Sequence, residues 1–171
     1  MKERNGLVTM KGNPLTLLGE EVKVGQSAPD VILIANDLSE VKLSSFKGKK
    51  MIIAAVPSLD TGVCDTETKR FNAEAAKLGS DVVIVVISTD LPFAQKRWCG
   101  AAGVNQVKTL SDHRDVAFGT AYGVLIKGLR ILARAIFVVD PKGTVQHIEL
   151  VKEVTTERNY TAAFEAVKKI K

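Results

Sequence analysis

The stretch Met51-Ile-Ile-Ala-Ala-Val-Pro-Ser-Leu-Asp-Thr-Gly-Val-Cys64 decides the reading of this chain. Its first six residues are an unbroken apolar run, which suits a strand buried on both faces. Beyond Cys64, Phe71, Ala75 and Leu78 recur at helical spacing, so the segment predicts a strand-to-helix junction with a cysteine in the first helical turn. Backbone N–H groups there have no intrahelical partners and the helix dipole presents its positive end; both favour negative charge on the sulfur. With Thr61 as the N-cap, its hydroxyl faces the third helical residue, which is Cys64.

Working outward, the cysteine helix runs to about Leu78 and ends at Gly79, and the β-branched run Val82-Val-Ile-Val-Val-Ile87 reads as the strongest strand of the chain. Burial on both faces implies a parallel neighbour. Asp90 is expected to cap a second helix with Pro92 in its first turn, which places Cys99 toward its end near Gly100 and Gly103. Val107 to Leu110 suits a short strand, and His113 to Tyr122 a short helix ending at Gly123. Ile131 to Val139 and Thr144 to Val151 form a hairpin about the turn Asp140-Pro-Lys-Gly143. Tyr160, Phe164, Val167 and Ile170 mark one face of a C-terminal helix. At the other end, Leu7 to Met10 and Leu15 to Leu18 flank the turn-rich Lys11-Gly-Asn-Pro14, a hairpin signal, and Asp30 to Ile34 and Val41 to Leu43 suit short strands about Asn36-Asp37.

The 171 residues, 46% hydrophobic and 25% charged, fit one domain spanning 1–171, with residues 1–20 as an N-terminal hairpin extension. A chain of this length buries enough surface to need no disulfide or metal staple. Its two cysteines, Cys64 and Cys99, follow a start, Met1-Lys-Glu-Arg-Asn, without the apolar core of an export signal, so cytoplasmic residence is expected. In that reducing compartment a cysteine pair points to catalysis or metal binding rather than a structural bridge. His113 and His147 match no ligand spacing with either cysteine, so no structural zinc site is expected. The net charge of +5 is dispersed, its densest group (Lys47, Lys49, Lys50) lacks interleaved aromatics, and no apolar run approaches a membrane span. Neither a nucleic-acid nor a membrane partner is expected.

The element order β-α-β-α-(β)-α-β-β-α, with a cysteine just after a buried central strand, has the form of an α/β, thioredoxin-like mixed β-sheet flanked by helices. The two-cysteine C-x-x-C motif of that fold is absent. In its place, Pro57-Ser-Leu-Asp-Thr-Gly-Val-Cys64 resembles the P-x-x-x-[T/S]-x-x-C signature of peroxiredoxins. Together with Ser88-Thr-Asp-Leu-Pro-Phe-Ala-Gln95, Arg97-Trp-Cys-Gly100, Tyr122-Gly123 and Leu132-Ala-Arg-Ala135, it closely resembles the thiol peroxidase subfamily of bacterial atypical two-cysteine peroxiredoxins.

That resemblance implies reduction of hydrogen peroxide and organic hydroperoxides by thiols without a metal, cofactor or prosthetic group, with Cys64 as peroxidatic cysteine and Cys99 as resolving cysteine. It further implies an intramolecular Cys64–Cys99 disulfide, a thioredoxin-type reductant and a homodimer. Thr61 and Arg134 match the positions that hydrogen-bond the thiolate and the peroxide, and Pro57 matches the one that shields the cysteine from water. On its own chemistry, Arg134 interrupts the apolar run Ile131 to Val139, where a charge must find a partner. Arg70, Arg97 and Arg130 are expected to face solvent.

Each residue also has a plainer reading: Cys64 as a small buried hydrophobe, Cys99 as a packed helix residue, Thr61 as a simple cap, Pro57 as a strand terminator, and Arg134 as half of an ion pair with Glu149 or another acid. Trp98 and Phe93 read as core or interface packing. Two other functions stay open, a protein disulfide oxidoreductase and a non-enzymatic redox sensor.

Overall fold

The computed structural model describes residues 1–156 and 160–170. At its centre, β5 (Lys50–Ala55) and β6 (Val82–Ser88) run parallel with Ile53 opposite Val85, and β6 pairs in parallel with β7 (Lys108–Ser111). Antiparallel strands complete the sheet on both sides. β9 (Ala135–Val139) and β10 (Val145–Leu150) extend the β5 edge, while β3 (Ile32–Ile34) and β4 (Glu40–Lys42) extend the β7 edge, giving the order β10-β9-β5-β6-β7-β3-β4.

Alternation along the central strands sorts the core into two layers, because successive strand residues point to opposite faces. Ile52, Ala54, Ile84, Val86, Ile136 and Val138 pack with Cys64 and Phe71 of α1 (Gly62–Ala75), Trp98 of α2 (Pro92–Ala102), and Tyr160 and Val167 of α4 (Tyr160–Lys169). The T-shaped pair Phe71–Tyr160, with centroids 5.1 Å apart, ties α4 to α1. On the opposite face, Ile53, Val85, Ile87 and Phe137 meet Phe118 of α3 (Ala117–Ala121) and the N-terminal hairpin. That hairpin, β1 (Glu3–Met10) and β2 (Asn13–Leu18), joins β8 (Leu125–Ile126) in a small second sheet.

Three expectations need correction. The hairpin turn is Lys11-Gly12 alone, both at positive φ (49° and 79°), and Pro14 already belongs to β2. A two-residue turn with that backbone matches strand twist, so the strands close more tightly than a four-residue loop allows. The helix expected over His113 to Tyr122 is confined to α3, because the Asp112 carboxylate accepts the N–H groups of Phe118 and Gly119 at 2.9 and 2.8 Å and starts the helix late. The strand expected over Ile131 to Val139 begins only at Ala135; Leu132 instead bridges to Leu125, which leaves Arg134 just ahead of β9.

Candidate active site

Val56 and Pro57 follow β5 and are buried, and the loop from Ser58 delivers the chain to α1. Thr61 is the N-cap in extended conformation, and its Oγ1 accepts the Cys64 N–H at 3.3 Å, as the spacing predicted. The same hydroxyl donates to the Ser58 carbonyl at 3.2 Å, so cap and loop are one unit. Asp90, expected to cap α2, does something else. The N-cap of α2 is Leu91, without a side-chain cap bond, while the Asp90 carboxylate accepts from Ser58 Oγ (2.7 Å), the Leu59 N–H (2.8 Å) and Ser88 Oγ (2.8 Å). The loop ahead of the cysteine presents unsatisfied donors, and a carboxylate at the end of β6 is the nearest acceptor for them.

Cys64 is fully buried, and a guanidinium nitrogen of Arg134 donates to its sulfur at 3.3 Å. Arg134 is itself 1% exposed; another nitrogen meets Glu67 at 2.6 Å, and Nε donates to the Val154 carbonyl at 3.2 Å. Three groups, two on α1 and one in the segment after β10, thus fix the guanidinium plane. The acid that meets Arg134 is Glu67 of α1; the plainer reading of this residue had offered Glu149 or another acid across the hairpin. Glu67 escaped the sequence reading, although a carboxylate one turn after Cys64, on the face that also carries Phe71, is the kind of buried charge that signals a partner.

Beside the buried cysteine, a pocket of about 240 Å³ is lined by its neighbours Thr61, Gly62, Val63 and Arg134 together with Met10, Pro57, Ser58, Ile131, Val154 and Thr155, while Cys64 itself does not line it. Met10 comes from the tip of the N-terminal hairpin. Glu153 holds that tip in place: it accepts from Thr155 Oγ1 (2.6 Å), Thr9 Oγ1 (2.7 Å) and the N–H groups of Gly12 (3.2 Å) and Lys11 (3.0 Å). Those donors, the Thr155 and Thr9 hydroxyls foremost, hold its carboxyl down at about 2.

Cys99 is half-buried in α2, its sulfur 3.4 Å from Thr109 Oγ1 of β7, and both cysteines are free thiols. The structure therefore brings Cys64, Thr61, Pro57 and Arg134 together and keeps Cys99 apart. Arg70, Arg97 and Arg130 are exposed as expected. Trp98 is buried, but Phe93 is 65% exposed and does not join the core. No helix among the described residues is long and apolar enough to cross a membrane.

A buried sulfur facing a guanidinium that lines a pocket is equipped to attack a small electrophile, with the guanidinium placed to stabilise the charge that develops on the leaving atom. The redoxin family model matches residues 23–164, which include both cysteines, Pro57, Thr61, Glu67 and Arg134 but not the N-terminal hairpin. The thiol peroxidase of Bacillus subtilis (strain 168) is 57% identical over 161 residues, covering 94% of this chain and 96% of that protein. The thiol peroxidase of Halalkalibacterium halodurans is 56% identical with the same coverage. The chain belongs to the thiol peroxidase subfamily of the peroxiredoxins. As a member of that subfamily it is a thiol-dependent peroxidase. Its fold is closely shared with a crystal structure of a peroxiredoxin-like protein from Aquifex aeolicus (TM-score 0.90, 43% identity, 98% of each chain). The architecture persists in a thiol peroxidase from Chromobacterium violaceum at 21% identity (TM-score 0.83, 94% of each chain).

Proposed function

We propose that Cys64 is the peroxidatic nucleophile of this thiol peroxidase and that Cys99 resolves its oxidised form. The observation that carries the reading is the Arg134 guanidinium donating to the Cys64 sulfur from a fully buried position. The sulfur attacks the proximal oxygen of a hydroperoxide, the O–O bond breaks, and the distal oxygen leaves as an alkoxide or hydroxide that takes up a proton. Negative charge moves from sulfur to the leaving oxygen, and Arg134 together with the N–H groups at the start of α1 stabilises it along that path. Pro57 walls the sulfur from water, and Thr61 keeps the helix start in register.

The product is a Cys64 sulfenic acid. The Cys99 thiol then displaces its hydroxyl as water, forming an intramolecular disulfide that a thioredoxin-type dithiol reduces by exchange. The apolar walls offered by Met10, Val63, Ile131 and Val154 suit the carbon skeleton of an organic hydroperoxide better than hydrogen peroxide alone. Leu91 and Phe93, 53% and 65% exposed at the start of α2 beside the Asp90-anchored loop, support a homodimer contact near the active-site face. Cytoplasmic residence would keep the reductant at hand.

The test is peroxide consumption coupled to thioredoxin, thioredoxin reductase and NADPH, run with hydrogen peroxide and with cumene hydroperoxide. Turnover is expected with both and a lower KM for the organic substrate, with none in Cys64→Ser. Full activity in that variant, or insulin reduction outpacing peroxide consumption, would overturn the assignment.

A further inference from the structure

Two contacts bind α1 to α2 on either side of Cys99. The indole Nε1 of Trp98 donates to Asp65 Oδ1 at 3.0 Å, which joins the residue before Cys99 to the residue after Cys64. Two turns further along α1, on the same face, Asn72 Oδ1 accepts the N–H groups of Asn105 (3.0 Å) and Gln106 (2.7 Å) in the loop leaving α2. Asp65 is held ready by Lys69, whose ammonium meets its other oxygen at 2.8 Å. None of these residues touches the Cys64 sulfur or the pocket beside it.

Their geometry bears on the resolving step. Adjacent helical residues diverge by about 100°, so with Trp98 facing α1, Cys99 faces away, toward Thr109 of β7. The Cys64 sulfur is held by Arg134, which enters β9, while the Cys99 sulfur lies against Thr109 of β7 with β5 and β6 between those strands, so the two thiols point to separate partners and are not joined. A disulfide tolerates a Cα separation of only about 7 Å. Turning the Cys99 sulfur toward α1 rotates or unwinds the last turns of α2, and that movement takes Trp98 off Asp65 and residues 105–106 off Asn72.

We infer that Trp98 and Asn72 are positioning residues whose contacts with α1 hold the resolving thiol away from Cys64 and so set how long the Cys64 sulfenic acid lasts. This rests on the roles proposed above for the two cysteines. Two reactions compete for that sulfenic acid. In one, the Cys99 thiol forms the S–S bond, the S–O bond breaks, and hydroxide leaves with the thiol proton as water. In the other, a second hydroperoxide transfers an oxygen to the same sulfur, giving sulfinic acid and an alcohol. Contacts present before the movement and absent during it slow only the first, so the clasp sets the partition.

The experiment uses the full-length chain as Trp98→Phe, which keeps the ring and loses the N–H, and Asn72→Ala, a second variant outside the core should the first fail to fold. Rapid-quench samples after one equivalent of cumene hydroperoxide are analysed by mass spectrometry for thiol, trapped sulfenic acid and disulfide, and a titration to excess peroxide gives the sulfinic fraction. Oxidation of Cys64 is expected at the wild-type rate, disulfide formation roughly three- to tenfold faster, and the sulfinic fraction lower by a similar factor, as removing a hydrogen bond to a charged or backbone group allows. A general loss of structure would slow both steps instead. Disulfide formation at the wild-type rate or slower in both variants, with normal first oxidation, overturns the inference. Absence of any Cys64–Cys99 disulfide in the wild-type protein overturns the underlying roles, a result distinct from the first.

Discussion

Glu67 lies one turn of α1 beyond Cys64 and holds Arg134 at 2.6 Å, and the same guanidinium reaches the Cys64 sulfur at 3.3 Å. All three groups are buried, so the carboxylate serves two ends: it compensates a charge that would otherwise be stranded, and it aims the remaining donors. Aim matters because a planar guanidinium offers donors in fixed directions, whereas an ammonium is a point charge on a flexible stem.

Arg134→Ala should therefore slow Cys64 oxidation by roughly 10²-fold, the usual effect of removing one preorganised donor, and Arg134→Lys should restore little of it. Stopped-flow kinetics with cumene hydroperoxide measure the rate. Glu67→Gln should also slow the reaction, by a smaller factor, while lowering stability, since the guanidinium keeps a hydrogen-bond partner but loses the countercharge. A wild-type rate in a folded Arg134→Ala protein would make the pair purely structural.

Replacing Cys99 by Ser should leave a single rapid oxidation and no steady-state turnover. The expected product is a Cys64 sulfenic acid, captured by a dimedone-type trap and absent from the Cys64→Ser protein. Sustained thioredoxin-dependent turnover in the Cys99 variant would remove it from the cycle.

Substrate choice should follow the hairpin tip and the segment before β9. Met10→Ala and Ile131→Ala remove apolar wall from the pocket beside Cys64, so KM for cumene hydroperoxide should rise roughly three- to tenfold with little change for hydrogen peroxide. An equal rise for both peroxides would place the two residues outside the recognition surface.

Two carboxyls shape stability against pH in opposite directions. Burial pushes Asp112 up to about 6, against the backbone N–H donors that favour its anion. Its folded value exceeds the ordinary one near 3.8, so between those pH values the folded state holds a proton that the unfolded state has lost; this contribution is complete below about pH 4 and disappears as pH rises through 6. Glu153, held down at about 2 by the Thr155 and Thr9 hydroxyls, contributes above its ordinary 4.5, and that contribution is lost as pH falls toward 2. Urea denaturation midpoints from pH 2 to 7 should show Asp112→Asn flattening the profile between 4 and 6, and Glu153→Gln flattening it below 4.5. Unchanged slopes in either variant would assign that range to other groups.

The central strands, the Thr61 cap and the cysteine helix were legible because each rests on a local pattern: an apolar run, a cap three residues before its acceptor, a 3.6-residue period. Local pattern misled at Asp90, which has the composition of a helix cap but was drawn to the unsatisfied donors of the Ser58–Leu59 loop, residues remote in the chain. It misled again at Arg134, where the run Ile131 to Val139 looks like one strand although Leu132 bridges to Leu125 and pairing in β9 starts at Ala135.

The sequence by itself determined which thiol starts a helix, which strands are buried on both faces, and the family to which the chain belongs, because propensity, capping and motif act over a few neighbouring residues. Tertiary structure alone decided that Glu67 rather than Glu149 meets Arg134, that Met10 of the hairpin walls the pocket, and that Trp98 reaches Asp65 across two helices. Each of those joins residues tens of positions apart, and the partner of a buried charge or an indole N–H is chosen by where the sheet order and helix packing bring acceptors into reach, which no local pattern encodes.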